Sequence, residues 1–297
     1  MPAAITHYFE AKKAWDKFSA NNVGEPFSEN AFLWGAQGPD FFFCHNFLPW
    51  RKGESLCPYA SKLHGALPSR LLGIMRGYAV SHGGDADIRS YIYGFLCHYS
   101  LDRTAHPFIN SNVDDLKKII SGRSGSFLHC QIESAIDVIV LRAETGALPT
   151  GFDLKKTVPK DFAVMQKISR MYTYVLFKLL GEKVDEKNIF QAEKDCRLAS
   201  GLLNDRTTFK KGFVERVEKR TGRYNHSCCI RGICEDEKYD YANILHSGWR
   251  YPEGSTVTRT ESFFDLYDKS VDESAAFMRA FYSTEDLSAL TGEIPFG

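Results

Sequence analysis

An all-helical fold is predicted by three features of this 297-residue sequence. Apolar residues recur at intervals of three and four in most segments, clean period-two alternation over six or more residues is scarce, and Gly and Pro gather between the periodic stretches. The candidate helices follow in order. Residues 7–20 and 28–37 are separated by Pro26, and the run from Gly38 through Pro49 ends the second. Residues 59–80 and 86–104 come next, with Pro107 expected to stop the latter just beyond His106, and 112–121 follows. Residues 126–146 end at the Gly146 to Gly151 break. The segments 159–181, 186–203 and 206–220 lead to a second break from Gly222 to Gly232, and Pro252 to Gly254 precedes 260–281. No Gly/Ser-rich or Pro-rich linker and no fixed-period repeat interrupts the chain. A single helical domain over 1–297 is the expected organisation, with chemistry in 1–140 and the helices of 150–297 supplying packing and elaboration.

Lys plus Arg and Asp plus Glu both number 37, so net charge gives no global attraction to nucleic acid or acidic lipid. No stable nucleic-acid complex is expected, and partner choice rests on a local site. No stretch approaches the roughly 18 apolar residues of a membrane span, and the start Met-Pro-Ala-Ala-Ile-Thr-His lacks the pattern of a secretory signal. A soluble, cytoplasmic protein is expected. The eight cysteines are then free thiols. Cys228, Cys229 and Cys234 cluster near His226, but their spacing lacks the paired hooks of a structural zinc site, and a loop with buried thiols is the preferred reading.

Seven of the nine histidines precede residue 130. Residues four apart on a helix share one face, so His98 with Asp102 presents an imidazole and a carboxylate to one point, and His129 with Glu133 does the same. His106 lies one further turn along from Asp102. One such pair alone is ordinarily a surface ion pair. Two pairs with His106 between them, set among Phe95, Leu96, Leu101, Phe127, Leu128 and Ile132, point instead to a buried metal site, because an uncompensated carboxylate there would be costly. Mixed imidazole and carboxylate donors suit zinc, and other divalent ions such as iron or manganese are compatible because no thiolate is needed. The bland alternative makes the histidines satisfied core residues and leaves the repeated spacing unexplained.

On these residues the chain resembles the zinc-dependent phospholipase C family, whose secreted bacterial members share a helical fold and a three-metal site with fungal single-strand-specific nucleases. The resemblance covers about residues 1–140. It implies that His98 and Asp102 serve a close pair of ions, Asp102 bridging, and that His106, His129 and Glu133 serve the remaining ion, for two or three zinc ions in all. It also implies that His7 is the early ligand and that Asp40, in Gly35-Ala-Gln-Gly-Pro-Asp40, is both a ligand and a general base. For the remaining histidine both His64 and His45 are candidates, His64 being favoured because a helix holds it; His45 could instead line the substrate pocket. Phe41, Phe42, Phe43, Phe47 and Trp50 offer an apolar wall, with Phe42 and Phe43 as substrate contacts, suited to a lipid glycerol backbone or a stacked base. The sequence departs from the family's N-terminal Trp ligand, beginning Met1-Pro2, where removal of Met1 would expose a prolyl amine five residues before His7. The implied function is phospholipase C-like hydrolysis of a small phosphodiester or phospholipid. A nuclease or 3′-nucleotidase is the nearest alternative, and a metal-binding helical protein without efficient turnover is the other. Trp249, Pro252 and Phe263-Phe264 either close over the site or fill the core.

Overall fold

The computed structural model describes residues 3–296 apart from 21, 23, 25, 49, 223–225 and 237. Met1 and Pro2, with their candidate amine, and Pro49 lie outside the described residues. Eleven α-helices are present among those described: α1 (Ala4–Ser19), α2 (Glu29–Ala36), α3 (Cys57–His64), α4 (Pro68–Ser81), α5 (Ala86–Ile119), α6 (Gly125–Thr145), α7 (Phe162–Leu180), α8 (Glu186–Leu203), α9 (Phe209–Thr221), α10 (Phe263–Ala280) and α11 (Leu287–Thr291). Short 3₁₀ helices cover Gly38–Cys44, Pro149–Gly151, Leu154–Thr157 and Ser227–Cys229. No strand occurs among the described residues; the β pairing there is an isolated antiparallel bridge between Trp249 and Arg259. None of their helices is long and apolar enough to cross a membrane. The all-α expectation holds.

Local chemistry fixes most boundaries. The Asp85 carboxylate accepts from the amides of Asp87 and Ile88 at the start of α5, and Asp161 and Asp185 cap α7 and α8 in the same way. Ser262 and Asp265 form a reciprocal capping box on α10. Gly146 and Gly181, at φ +68° and +74°, end α6 and α7 in the left-handed conformation that glycine adopts without steric cost.

Two boundaries depart from the sequence reading. The stretch expected as one helix over 59–80 divides at Gly65 to Leu67, because Pro68 opens α4 at a first-turn position where its missing N–H is harmless. Pro107, expected to stop a helix, lies inside α5, which joins the separate segments 86–104 and 112–121 into 34 residues, roughly 51 Å. The proline removes one backbone hydrogen bond. Phe108, Ile109, Val113 and Leu116 beyond it are buried, so packing on both sides holds the helix across the gap.

The middle of α5 is buried almost all round, as a central helix should be. It packs against α2, α10, α6, α1 and α7. The approach to α2 is the tightest: a Cβ added at Gly94 would lie 2.0 Å from the Phe32 carbonyl oxygen, and one at Gly35 would lie 2.0 Å from that of Tyr91. Backbone therefore meets backbone, and the Gly38–Cys44 turn that follows α2 is held against α5. The later helices share the same core, since α10 packs on both α1 and α5. Trp249, whose indole N–H donates to the Glu261 carbonyl, packs edge-on to Phe108, and Phe263 is also buried, so these residues fill the core.

Candidate metal centre

Three turns of α5 carry His98, Asp102 and His106 on one face. Around them stand His7 from α1, Asp40 from the 3₁₀ turn, His64 at the end of α3, and His129 with Glu133 from α6. Asp102 is central. One of its oxygens lies 3.2 Å from His7 Nε2. The other lies 3.2 Å from His98 Nε2 and 3.6 Å from His64 Nε2. His64 Nε2 is also 3.3 Å from an Asp40 oxygen.

The donors fall into three groups, each with its ligand atoms within 4.8 Å of one another: His7, His98 and Asp102; Asp40, His64 and His98; His106, His129 and Glu133. The first two share His98, and the two Asp102 oxygens face different groups. All eight residues expected as ligands are thus brought together. Seven of them, all but His98, line one cavity of about 930 Å³.

Ring orientation is set by the nitrogen that faces away. His64 Nδ1 pairs with the Ala60 carbonyl at 2.8 Å, and His106 Nδ1 pairs with the Phe296 carbonyl at 2.7 Å. Each carbonyl accepts a hydrogen bond from the ring Nδ1–H, which leaves Nε2 directed at the carboxylates. His45 differs. Its Nδ1 accepts from the Leu56 amide at 3.1 Å and it is buried away from the cavity, so of the two candidates His64 is the one that joins the cluster. Phe42 is a second correction: in the tight 3₁₀ turn it points inward, stacked on Phe41 and edge-on to Tyr172, whereas Phe43 is partly exposed and lines the cavity.

The donor set fits cations. His64 and His98 Nε2 approach to 3.4 Å, an arrangement that sets two lone pairs against each other unless a proton or a shared ion lies between them. Burial pushes His98 down to about 4. For His64 burial acts in the same sense, but hydrogen bonds to Asp102 and Asp40 outweigh it and raise the group to about 10. His106 rises to about 9 because Asp102 and Glu133 overcome its burial. The carboxyl of Glu133, beside His129 and His106, is held below its ordinary range despite burial, as are those of Asp40 and Asp102 beside their own histidines. Without a cation the site therefore keeps its carboxylates charged by holding protons on imidazoles.

The sign for stability follows. His64 and His106 have folded values above the ordinary 6.5, so their contribution is complete below about pH 6.5 and fades as pH rises through about 9 to 10. His98 and the three depressed carboxylates act oppositely: their contribution is present at neutral pH and lost in acid. Chelator-treated protein is expected to lose thermal stability on both sides of neutrality, and added zinc to restore it most on the alkaline side. Melting temperatures from pH 5 to 10, with and without zinc, check this; a curve flat from pH 7 to 10 in the metal-free protein would contradict it.

Sequence spacing missed two supporting residues. Gly38, at φ +54°, lies against the His98 ring, and a Cβ there would come within 2.1 Å of it. Phe296 is fully buried and sets its ring among His64, His98 and Tyr99. No periodicity ties a residue near 296 to one near 106. The cysteines are also grouped differently from the expectation: Cys130 from α6 joins Cys228 and Cys229, while Cys234 is exposed.

Comparison with known proteins adds one match. Residues 6–181 fit the model of the family described as zinc dependent phospholipase C. No curated protein and no solved structure matches the chain.

Proposed function

Because this chain belongs to the zinc-dependent phospholipase C family, we propose that it is a metal-dependent phosphodiester hydrolase acting on the glycerol side of a phospholipid or related small phosphodiester. The observation that carries this reading is the convergence of three His/carboxylate groups on one cavity. His7 and Asp102 would hold one zinc ion, Asp40, His64 and His98 a second, and His106, His129 and Glu133 a third. Zinc bound there supplies Lewis acidity, polarising phosphate oxygens, acidifying water and offsetting charge on the departing oxygen.

The chain's own residues do the rest. Asp40, ionised at neutral pH and lining the cavity beside His64, accepts the proton of the attacking water. Phe43, Val113 and Phe127 give the cavity an apolar side for the glycerol portion, and Asn110, Lys117 and Ser126 give it a polar side for the headgroup. Phe296 keeps His106 in one tautomer and excludes water from the inner face of the cluster.

The test is a substrate panel on protein of measured metal content. Choline and ethanolamine phospholipids are expected to yield a diglyceride and a phosphorylated headgroup, with activity lost on chelation and regained with zinc. Hydrolysis of single-stranded nucleic acid or a 3′-nucleotide with lipid left intact would replace this reading by the nuclease one. Fully metallated protein inert on every ester would leave only metal binding.

A further inference from the structure

Outside the His/carboxylate groups, three sulfurs converge from two distant parts of the chain. Cys130 Sγ on α6 lies 2.9 Å from Cys229 Sγ, Cys228 Sγ lies 3.8 Å from Cys229 Sγ, and all three are within 4.8 Å of one another. None of the three cysteines is in a disulfide, and all three line the cavity. Around a tetrahedral zinc ion with Zn–S near 2.3 Å, thiolate sulfurs sit about 3.8 Å apart. The Cys228–Cys229 separation has that value, and Cys130 and Cys229, now at 2.9 Å, would part by about 0.9 Å to take the same spacing.

The turn that bears Cys228 and Cys229 is fixed from several sides. The Glu218 carboxylate accepts from the amides of His226 and Ser227 and from the Ser227 hydroxyl. Ser134 Oγ, on α6, donates to the Cys228 carbonyl at 2.5 Å. Arg231 donates to the Cys229 carbonyl at 3.1 Å and pairs with the buried Asp137 carboxylate on α6 at 2.6 Å. Asp137 in turn accepts from the amide and hydroxyl of Thr6, the residue before His7. Anchoring of this kind holds sulfurs in place before a ligand arrives, as in a ligand site rather than in a pair of thiols that must move to react.

We propose that Cys130, Cys228 and Cys229 form a thiolate site for a thiophilic closed-shell cation of the zinc type, distinct from the three His/carboxylate groups. Binding exchanges three S–H bonds for three metal–sulfur bonds, and the protons leave to solvent with no change of oxidation state. The fourth position belongs to the cavity side. Bound metal would tie the Ser227–Cys229 turn to α6 one residue from His129.

Cadmium is the direct probe. The full chain, reduced and stripped of metal, is expected to develop the ultraviolet thiolate-to-cadmium charge-transfer band on titration, and to retain it in Cys234→Ser and His129→Ala. Cys228→Ser and Cys229→Ser are expected to lose most of the band and to bind one equivalent of zinc fewer than the unaltered chain. X-ray absorption on the zinc-saturated unaltered protein should show a sulfur shell near 2.3 Å, a measurement that needs no variant to fold. Absence of both the band and the sulfur shell, or a band unchanged in Cys228→Ser, overturns the proposal. So does a Cys130–Cys229 disulfide recovered intact from protein purified under reducing conditions.

Discussion

Replacing Asp102 by alanine is expected to lower kcat/KM by more than about 100-fold and to reduce bound zinc together with it. Loss of a residue that only positions a metal ligand typically costs 10- to 100-fold, and under the proposed reading Asp102 is itself a ligand. Its two oxygens meet three imidazoles, those of His7, His98 and His64. Removing the carboxylate leaves these rings facing one another in a buried pocket, so two donor groups are disrupted by one substitution. Asp102→Asn separates charge from shape: it keeps the volume and one acceptor oxygen, and should retain the fold while still losing zinc. Zinc analysis and initial rates on both variants decide the matter. Full zinc content in Asp102→Ala would remove Asp102 from the ligand set.

Gly94→Ala is expected to destabilise the protein by about 3 kcal/mol or more, the upper end of the overpacking range. In most exposed helical positions the same change would stabilise, because alanine is the better helix former by about 1 kcal/mol. Here the added methyl would lie 2.0 Å from the Phe32 carbonyl oxygen and 2.7 Å from the Ala36 amide nitrogen. Backbone cannot swing aside as a flexible side chain would. The helices must part, and the Gly38–Cys44 turn with Asp40 moves with α2. Gly35→Ala meets the mirror-image contact with Tyr91, so the two effects should combine to less than their sum once either has opened the interface. Denaturant midpoints for the two single variants and the double variant measure this; unchanged midpoints would refute the close-packing argument.

What the sequence made legible is what a helix encodes locally. The i, i+4 spacing that pairs His98 with Asp102 and His129 with Glu133 appears in the structure as contacts at 3.2 and 3.1 Å. Donors further apart in sequence, His7, Asp40 and His64, came from the family resemblance, since nothing in their local pattern points to Asp102. Features that depend on tertiary packing lie outside what local spacing encodes. Pro107 was expected to break a helix that buried neighbours carry through it. Phe42 and Phe43 looked equivalent in an aromatic run, but a three-residue turn sends one inward and the other outward. Cys130 stands 99 residues from Cys229, a separation no spacing rule bridges. Phe296 is similarly remote, and only the folded chain reveals that its carbonyl selects the tautomer of His106.

Because His98, Asp102 and His106 ride on one continuous rod, the spacing of the donor groups and their chemical identity are separable properties. Successive donors advance by roughly 6 Å along the axis. Exchanging a side chain at His98 or His106 changes the chemistry of that station and leaves the helical spacing of the others intact, whereas Asp102 is shared by its neighbours. A single inserted residue behaves differently, turning everything downstream by about 100° and scattering the set at once. Variation in this segment should therefore be rich in substitutions and almost free of length changes, a pattern opposite to that of the loops around it.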